Sequence, residues 1–489
     1  MATPIPENRA RFTVDEVARA TGGVIVQGSR GAGARAVVGV TSDSRSVEPG
    51  SLFVALRGEV HDGHAFAARA AERGAAALVL ERRPAGGLPP GLPVVEVPDT
   101  LVAWGGLARA HLERWRAGGD RRVVAVTGSA GKTTTKELLA SLLDAVAPTH
   151  FTAGNLNNRI GVPAVIFALE PPCRFAVLEV GMSLVGELDA IMAFARPDVS
   201  IIVNVGVAHA EGVGGREGVM REKGAVYRAL AADGVAIVNA DDEYVERAAS
   251  LAKVRRIVTF GRGGPRPGVE VHYQLAERSP RGGGAAIVVV RHERGAERRI
   301  AIELPLPGEA AAIDLTAALA ATEMVSGELL APDAIQRALD RVRLEGRGSV
   351  RRLEGDGLVI DDTYNANPSS MRAALSTLSE IAGGRRRVAI LGEMRELGAL
   401  AEEEHRSLGD AVAEAGVRLV IGCGGLVDLT LERAAARGVE AVRAATTEDA
   451  AREATARVRA GDAILVKGSR GVRAEDVVAA LAADRPTGE

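Results

Sequence analysis

The segment that most constrains the fold of this chain is a glycine-rich turn between an apolar run and a run with helical spacing. Val123–Val126 is the apolar run, and the turn that follows reads Thr127-Gly128-Ser129-Ala130-Gly131-Lys132-Thr133-Thr134. Such glycines let backbone amides close around phosphate oxygens, the lysine reaches the terminal phosphates, and the threonine hydroxyl can bind Mg²⁺. We therefore predict a strand, a phosphate-binding loop and a helix, against the alternative of a fortuitous turn.

The spacing within this loop narrows the class of protein. The common phosphate loop has four residues between its first glycine and the Gly-Lys pair. Here that first position is Val126. The shorter form, Gly-x-x-Gly-Lys-Thr, favours amide-forming ligases over small GTPases.

Apolar runs that alternate with helical segments predict the surrounding architecture. Phe175–Val180, Val199–Val205 and Val235–Val238 continue the pattern, which is typical of a mostly parallel sheet with crossover helices. Residues 262–305 are richer in glycine clusters and alternating runs, and we expect an antiparallel extension of the same domain. A chain of 489 residues has room for about three domains, and we predict an α/β protein with domains at 1–119, 120–329 and 330–489.

Composition excludes several classes of function. The net charge of −3 argues against a nucleic-acid-binding surface, which needs a basic surplus. Cys173 and Cys423 lie far apart without a CxxC partner, so a reducing compartment and no thiolate metal site are expected. The first residues lack the apolar core of a signal peptide, and no apolar run is long enough to span a membrane. We therefore expect a cytoplasmic protein.

Lysine is rare in this chain, which makes each lysine informative. Only five of the 60 basic residues are lysines, at positions 132, 136, 223, 253 and 467. Arginine cannot be deprotonated in practice and cannot act as a compact point charge in a phosphate loop. A lysine retained at a motif position is therefore expected to serve as an amine.

Three side chains that follow the phosphate loop predict a metal site. Glu179 ends an apolar run, His209 lies just after Val199–Val205, and Lys223 begins a helical run. Alone, the histidine is typical of a structural hydrogen bond and the lysine of a solvated surface. Together they predict two Mg²⁺ positions at the edge of the sheet where the strands end.

With these residues the chain resembles the Mur ligase family over nearly its whole length. The resemblance rests on Thr41-Ser42-Asp43-Ser44-Arg45, Gly154-Asn155-Leu156-Asn157-Asn158, Asp362-Thr363-Tyr364-Asn365-Ala366-Asn367-Pro368 and Val466-Lys467-Gly468-Ser469-Arg470. It implies a uridine-nucleotide-binding domain, a central ATPase domain and a Rossmann-like C-terminal domain.

The resemblance also implies roles for individual residues. Ser44 and Arg45 would lie near the UDP group, and Lys132 and Thr133 would hold ATP and the first Mg²⁺. Glu179, His209 and Lys223 would bind metal, with Lys223 carbamylated by CO₂. The C-terminal side of the ATP site would comprise Arg347, Asp362, Tyr364 and Asn365. The acceptor peptide would meet Asn155, Asn157 and Asn158, and the incoming dipeptide or phosphate would meet Lys467, Ser469 and Arg470.

The activity implied is ATP-dependent ligation of D-alanyl-D-alanine to a UDP-N-acetylmuramoyl tripeptide through an acyl phosphate, by a monomer. The nearest alternative is a related ligase that adds a single diamino acid to the UDP-muramoyl dipeptide. The motif expected for that substrate after the Asn-Pro pair is replaced by Pro368-Ser369-Ser370-Met371. A folate or polyamide glutamate ligase and a catalytically inactive paralogue are two further alternatives.

One segment departs from the family pattern. The family usually carries Gly-x-His-Asn-x-x-Asn where the central domain packs on the adenine. Aligned at Gly308, this chain has Ala310, Ala311 and Asp314 in place of the imidazole and the two amides. We expect altered adenine contacts, with the phosphate and metal groups unaffected.

Overall fold

The structure is a computed structural model that describes residues 4–58, 61–84, 87–206, 213–281 and 283–484. Three large sheets lie in succession along the chain, each with helices packed on it. The predicted α/β class, with three domains and a mostly parallel central sheet, is therefore confirmed.

The N-terminal domain has a five-stranded sheet of order β2-β7-β6-β5-β4 and a β1–β3 pair beside it. Its last helix joins it to the next domain, because the Trp104 ring on that helix packs 4.8 Å from the Phe167 ring and its indole N–H donates to the Ile160 carbonyl at 3.0 Å. The elements are β1 Arg11–Thr13, α1 Val14–Thr21, β2 Val24–Gln27, β3 Ala36–Val38, β4 Val40–Thr41, β5 Leu52–Val54, α2 Ala67–Glu72, β6 Ala77–Leu80, β7 Val94–Glu96 and α3 Thr100–Arg116.

The central sheet has nine strands in the order β16-β15-β14-β13-β12-β11-β8-β10-β9. Its elements are β8 Arg122–Thr127, α4 Lys132–Asp144, β9 Thr149–Phe151, α5 Gly161–Phe167, β10 Phe175–Glu179, α6 Glu187–Ala195, β11 Val199–Ile202, α7 Gly215–Lys223, α8 Ala225–Arg228, β12 Val235–Asn239, α9 Glu243–Leu251, β13 Arg256–Gly261, β14 Val271–Arg281, β15 Gly284–Glu293, β16 Ala296–Leu304 and α10 Glu309–Ser326. Strands β8 to β14 pair in parallel, and β14, β15 and β16 pair antiparallel. The antiparallel extension expected from residues 262–305 is therefore present.

Burial on both faces explains the unbroken apolar runs of the central strands. A strand with helices on both sides exposes neither face to water, so it does not alternate between apolar and polar residues. Ala125 and Leu178 face one core, while Val124 and Val177 face the other. Since β8 and β10 are parallel neighbours in register, with Val126 opposite Glu179, the phosphate loop and that carboxylate leave the sheet at the same edge.

The C-terminal sheet has the order β17-β18-β22-β19-β20-β21, and all its pairs except β17–β18 are parallel. Helix α11 Pro332–Leu339, which precedes it, packs on the central domain, since the Ser141 hydroxyl on α4 donates to its Ala338 carbonyl at 2.7 Å. The remaining elements are β17 Ser349–Leu353, β18 Gly357–Asp362, α12 Pro368–Ile381, β19 Arg387–Gly392, α13 Ala401–Glu414, β20 Leu419–Cys423, α14 Val427–Ala436, β21 Glu440–Ala444, α15 Thr447–Arg457, β22 Ala463–Lys467 and α16 Glu475–Asp484. Among the described residues, none of these helices could cross a membrane.

Candidate active site

The predicted phosphate loop joins β8 to α4 and ends in a glycine with a left-handed conformation. Gly131, the residue before the helix, has φ of 79°, a left-handed conformation that glycine adopts without strain. The amides of Ser129 and Ala130 both donate to the Asn204 side-chain oxygen, at 3.1 and 2.9 Å. Asn204 follows β11, so the neighbouring strand fixes the shape of the loop. The partly buried N-terminus of α4 is suited to bind phosphate.

Two lysine amines converge beneath this loop. Nζ of Lys132 donates to the Gly128 carbonyl at 2.8 Å, and Nζ of Lys223, at the end of α7, donates to the same oxygen at 3.0 Å. Burial lowers the pKa of Lys223 well below its usual range, and the charge of Lys132 lowers it further. The pKa of Lys132 is also lowered by burial, with an opposing effect from Glu179. The more deeply shifted amine, Lys223, is the one that loses its proton more readily.

Glu179 links three segments of the central domain. One carboxylate oxygen accepts from the Thr133 hydroxyl at 2.8 Å, and the other accepts from the Asn157 amide at 2.8 Å. The carboxylate is 2% exposed and lies at the end of β10. The phosphate loop and the loop that carries the predicted acceptor-binding asparagines therefore meet at one acidic side chain.

The C-terminal domain contributes a tyrosine ring with two arginine guanidinium groups close to it. The Arg347 guanidinium lies 3.7 Å from the centre of the Tyr364 ring, and Arg470 lies 5.0 Å from the same ring. Nearby, Nζ of Lys467 donates to the Asp362 carboxylate at 2.6 Å and to the Asn365 carbonyl at 2.9 Å. The Lys467 amine is thus engaged in holding the 362–365 segment in place.

These two sides enclose a cleft of about 700 Å³. It brings together most of the residues singled out from the sequence: Ser129, Ala130, Gly131, Lys132, Thr133, Thr134, Asn155, Asn157, Asn158, Glu179, Lys223, Arg347, Asp362, Tyr364, Asn365, Lys467, Ser469 and Arg470. Helix α12 closes one edge of the cleft. There the side-chain amide of Asn367 donates to the Ser129 carbonyl at 3.3 Å, across the domain boundary.

The departure from the family pattern lies in the same cleft. Ala310, Ala311 and Asp314 on α10 all line it. The Asp314 carboxylate packs against the phosphate loop, so closely that a side chain on Gly131 would clash with it. Burial raises the pKa of Asp314 well above the usual range, and the Thr135 hydroxyl opposes that shift.

Two predicted site regions are not brought into this cleft. Ser44 is buried and Arg45 is 77% exposed, with its guanidinium paired to Asp43 at 2.7 Å, and neither lines the cavity. The predicted metal ligand His209 lies outside the described residues. Within the described ranges no group of three or more His, Cys, Asp or Glu side chains forms a metal cluster.

Sequence reasoning missed Asn204 and assigned no role to Lys136. Asn204 gave no local signal, because its partners are backbone amides 74 and 75 residues away. Lys136 did give one, the scarcity of lysine. Of the five lysines, four are buried or line the cleft: Lys132, Lys136, Lys223 and Lys467.

Fold and site together define an α/β nucleotide-binding protein with a phosphate loop in a cleft between domains. Three family models match the chain, described as "Mur ligase family, catalytic domain" at residues 36–109, "Mur ligase middle domain" at 126–322 and "Mur ligase, glutamate ligase domain" at 331–470. A UDP-N-acetylmuramoyl-tripeptide–D-alanyl-D-alanine ligase from Bacillus subtilis is 33% identical over 443 residues, 90% of this chain and 92% of the relative. This chain belongs to the Mur ligase family.

A further relative and two solved structures are consistent with this family membership. An Escherichia coli ligase of the same name is 36% identical over 79% of this chain and 81% of its own length. A crystal structure of MurF from Acinetobacter baumannii matches with a TM-score of 0.84 at 31% identity, covering 97% of this chain and 99% of that one. MurF from Thermotoga maritima in complex with ADP matches with a TM-score of 0.77 at 26% identity, covering 91% and 97%.

Proposed function

We propose that this protein ligates D-alanyl-D-alanine to a UDP-N-acetylmuramoyl tripeptide, with ATP as the energy source, to give the UDP-linked pentapeptide used in peptidoglycan synthesis. The observation that carries the proposal is the match, over 79% to 90% of this chain, to relatives named for that reaction. The cleft supports it, because a phosphate loop, an acidic side chain and an amide-bearing loop meet within it.

The reaction has two steps. The terminal carboxylate of the tripeptide attacks the γ-phosphorus of ATP, so that an acyl phosphate forms and ADP leaves. The free amine of the dipeptide then attacks the acyl carbon, the amide bond forms, and phosphate leaves with loss of a proton. Lys132 and the N-terminal amides of α4 stabilise the charge on the transferred phosphoryl group, and the protein acts mainly by positioning and electrostatics.

The donor groups at the loop fit Mg²⁺. Magnesium prefers hard oxygen ligands, and the Thr133 hydroxyl and Glu179 carboxylate are already adjacent at 2.8 Å. These two would hold the ion beside the phosphates, with His209 as a further ligand in the proposal. Bound Mg²⁺ would neutralise phosphate charge during transfer.

Lys223 is proposed to carry a carbamate that completes a second Mg²⁺ site. Only a neutral amine reacts with CO₂, and the burial that lowers the pKa of Lys223 favours that form. The nitrogen attacks the carbon of CO₂ and loses a proton, giving an N-carboxylate. The buried position at 2% exposure would protect the product from water.

The three domains divide the substrates in this proposal. Residues 1–119 bind the UDP-muramoyl group through Ser44 and Arg45, residues 120–329 bind ATP, and residues 330–489 bind the dipeptide and close the ATP site. Tyr364, whose ring lies 3.7 Å from the Arg347 guanidinium and 5.0 Å from that of Arg470, would form part of that closing surface. We further propose that the protein is a cytoplasmic monomer.

The test is phosphate release from ATP with Mg²⁺ and UDP-muramoyl tripeptide, with and without D-alanyl-D-alanine, with single D-alanine as a control. We expect release that depends on the dipeptide and a pentapeptide product by mass spectrometry. Release only with a diamino acid and the UDP-dipeptide would assign the chain to the related single-residue ligase. No release with any pairing would indicate an inactive paralogue.

The carbamate is tested separately at Lys223. Lys223→Ala should abolish turnover, and small carboxylates such as acetate or formate should restore part of it by replacing the lost ligand. Lys223→Arg should remain inactive, since a guanidinium cannot be carbamylated. Full activity of Lys223→Arg would contradict this part of the proposal alone.

A further inference from the structure

Lys136 is a buried lysine that the proposed mechanism does not use. It lies on α4 one turn beyond Lys132, and its side chain is fully buried. Its Nζ donates to the Thr152 carbonyl at 2.7 Å and to the Glu137 carboxylate at 2.6 Å, and lies 5.4 Å from the centre of the Phe151 ring. The ammonium is therefore satisfied by contacts on two different elements, α4 and the end of β9.

The carbonyl that Lys136 holds belongs to the first residue of the acceptor loop, residues 152–158. Thr152 is itself fully buried, and its hydroxyl accepts from the Glu179 amide at 3.0 Å. Its own amide donates to the Val177 carbonyl at 3.0 Å. Thr152 is thus held by α4 on one side and by β10 on the other.

Together with the contacts of Glu179, these hydrogen bonds connect the acceptor loop to α4 and β10 at both of its ends. From α4, Lys136 binds the start of the acceptor loop, and Thr133 binds the Glu179 carboxylate. From the far end of the loop, Asn157 binds the same carboxylate at 2.8 Å, and its carbonyl accepts from the Gly181 amide. Both ends of the acceptor loop are therefore fixed to the phosphate-loop helix or to the strand beside it.

A lysine suits this position better than an arginine. The two oxygens it binds lie around a single nitrogen, which a compact ammonium can satisfy but a planar guanidinium fork cannot. Burial of an ammonium is unfavourable unless it is paired and hydrogen-bonded, so its retention in a chain with only five lysines calls for a specific contact.

We propose that Lys136 is a positioning residue that fixes the acceptor loop relative to the phosphate loop, and so determines where the acceptor carboxylate stands with respect to the γ-phosphate. The inference rests on the proposed function. Misplacement of a reacting group by about 1 Å can reduce the rate by about 100-fold. The effect of losing Lys136 should therefore fall on the muramoyl substrate and leave nucleotide binding unchanged.

The test compares Lys136→Met with the wild-type enzyme and with Lys253→Met, a matched control at an exposed lysine. Lys136→Met keeps the length and apolar stem, and Glu137 can be hydrated because it is partly exposed. We expect kcat/KM for the muramoyl tripeptide to fall at least about tenfold, with the Kd for ADP changed less than about twofold. Lys253→Met should match wild type in both.

A second readout does not need turnover. Hydrogen exchange of the amides at residues 152–158 should be faster in Lys136→Met, while the amides of α4 keep their protection. Thr152→Val removes the hydroxyl that accepts from the Glu179 amide, one of the two bonds between Thr152 and β10, and should give the same exchange pattern with Lys136 in place.

Unchanged kcat/KM with unchanged exchange would overturn the inference, and so would an ADP affinity that weakens as much as kcat/KM. If the wild type lacks dipeptide-dependent turnover, the proposed function fails, but the exchange comparison still decides whether Lys136 fixes the loop.

Discussion

Two regions of the molecule are organised differently. One is the floor of the cleft, formed by Glu179 with Thr133 and Asn157. The other is the predicted uridine-nucleotide segment of the N-terminal domain, which contains Asp43 and Arg45. On the floor, the Glu179 carboxylate binds groups from two other segments and is 2% exposed. In the N-terminal segment, Arg45 is 77% exposed, and within the part of the chain that the structure describes its guanidinium binds a carboxylate two residues away, that of Asp43. One region is fixed by long-range contacts, and the other is paired locally.

This difference separates chemistry from recognition. Catalysis gains from groups that are already oriented before the substrate arrives, because no reorganisation is then needed in the transition state. An exposed arginine can change partners when an anionic ligand binds, which serves binding more than rate. We therefore expect changes on the floor to reduce kcat and changes at Arg45 to raise KM.

The strongest test of this contrast is Glu179→Gln. The amide keeps the shape but removes the charge that receives the Thr133 hydroxyl and would hold Mg²⁺. We expect kcat to fall at least about 100-fold, comparable to the loss of one preorganised catalytic group. Steady-state kinetics with all three substrates measures it.

The control for Glu179→Gln is its folding, measured by thermal unfolding and circular dichroism. A well-folded variant with near-normal kcat would show that the floor is structural only. It would also remove Glu179 from the proposed metal site.

Arg45→Ala tests the other region and should have a smaller effect. Loss of a charge-assisted hydrogen bond to a phosphate is worth about 1.5–3 kcal/mol, so we expect KM for the UDP substrate to rise at least about tenfold. The kcat at saturating substrate should stay close to wild type, the pattern of lost uniform binding. A fall in kcat with unchanged KM would contradict the division between the two regions.

The sequence identified the floor well because its signals are local. The phosphate loop carries its chemistry in eight consecutive residues, and Glu179 ends a recognisable apolar run. The contacts that hold the floor together were not predictable in the same way. Asn204 and Thr152 act through hydrogen bonds to segments distant in sequence, and the sequence alone does not show which segments those are.

The fold, too, was predictable where its signals are local in sequence. Buried parallel strands such as β10 are continuous apolar runs, and periodicity finds them. Helix α11, in contrast, packs on the central domain, where it contacts α4 and where the Ser141 hydroxyl donates to the Ala338 carbonyl. Such packing is a property of tertiary structure, so no local pattern could have placed this helix.

Asp314→Asn examines the one buried carboxyl of the cleft that departs from the family. Its raised pKa means that the folded state holds a proton which the unfolded chain releases above about pH 4. This stabilisation is fully present below that pH and is lost as the pH rises towards the folded pKa. The asparagine variant does not titrate, so at pH 7.5 it should be the more stable of the two proteins.

Thermal unfolding of both proteins from pH 4.5 to 8 measures this effect. The gain of Asp314→Asn over wild type should shrink as the pH falls towards 4.5. A gain that is independent of pH would show that the carboxyl titrates normally. Asp241→Asn, a carboxyl at a loop without such burial, is the matched control.

The smallest expected effect concerns the contact between domains. Arg278 on β14 pairs with Glu380 on α12, and both side chains are mostly buried, at 13% and 16% exposure. The pair joins the central and C-terminal domains at the helix that also brings Asn367 to the phosphate loop. A double-mutant cycle with Arg278→Met and Glu380→Gln should give a coupling of about 1 kcal/mol in unfolding free energy.

Measuring kcat and KM for the same four proteins decides whether this pair supports the preorganised floor or the binding of substrate. If it holds α12 against the phosphate loop, each single variant should raise KM for ATP by a few-fold at unchanged kcat, and the double variant should add little more, because the contact is already lost. Additive effects on KM would mean that the two residues act independently. A fall in kcat would place α12 with Glu179 and Thr133, as part of the preorganised floor rather than as a surface that closes over the nucleotide.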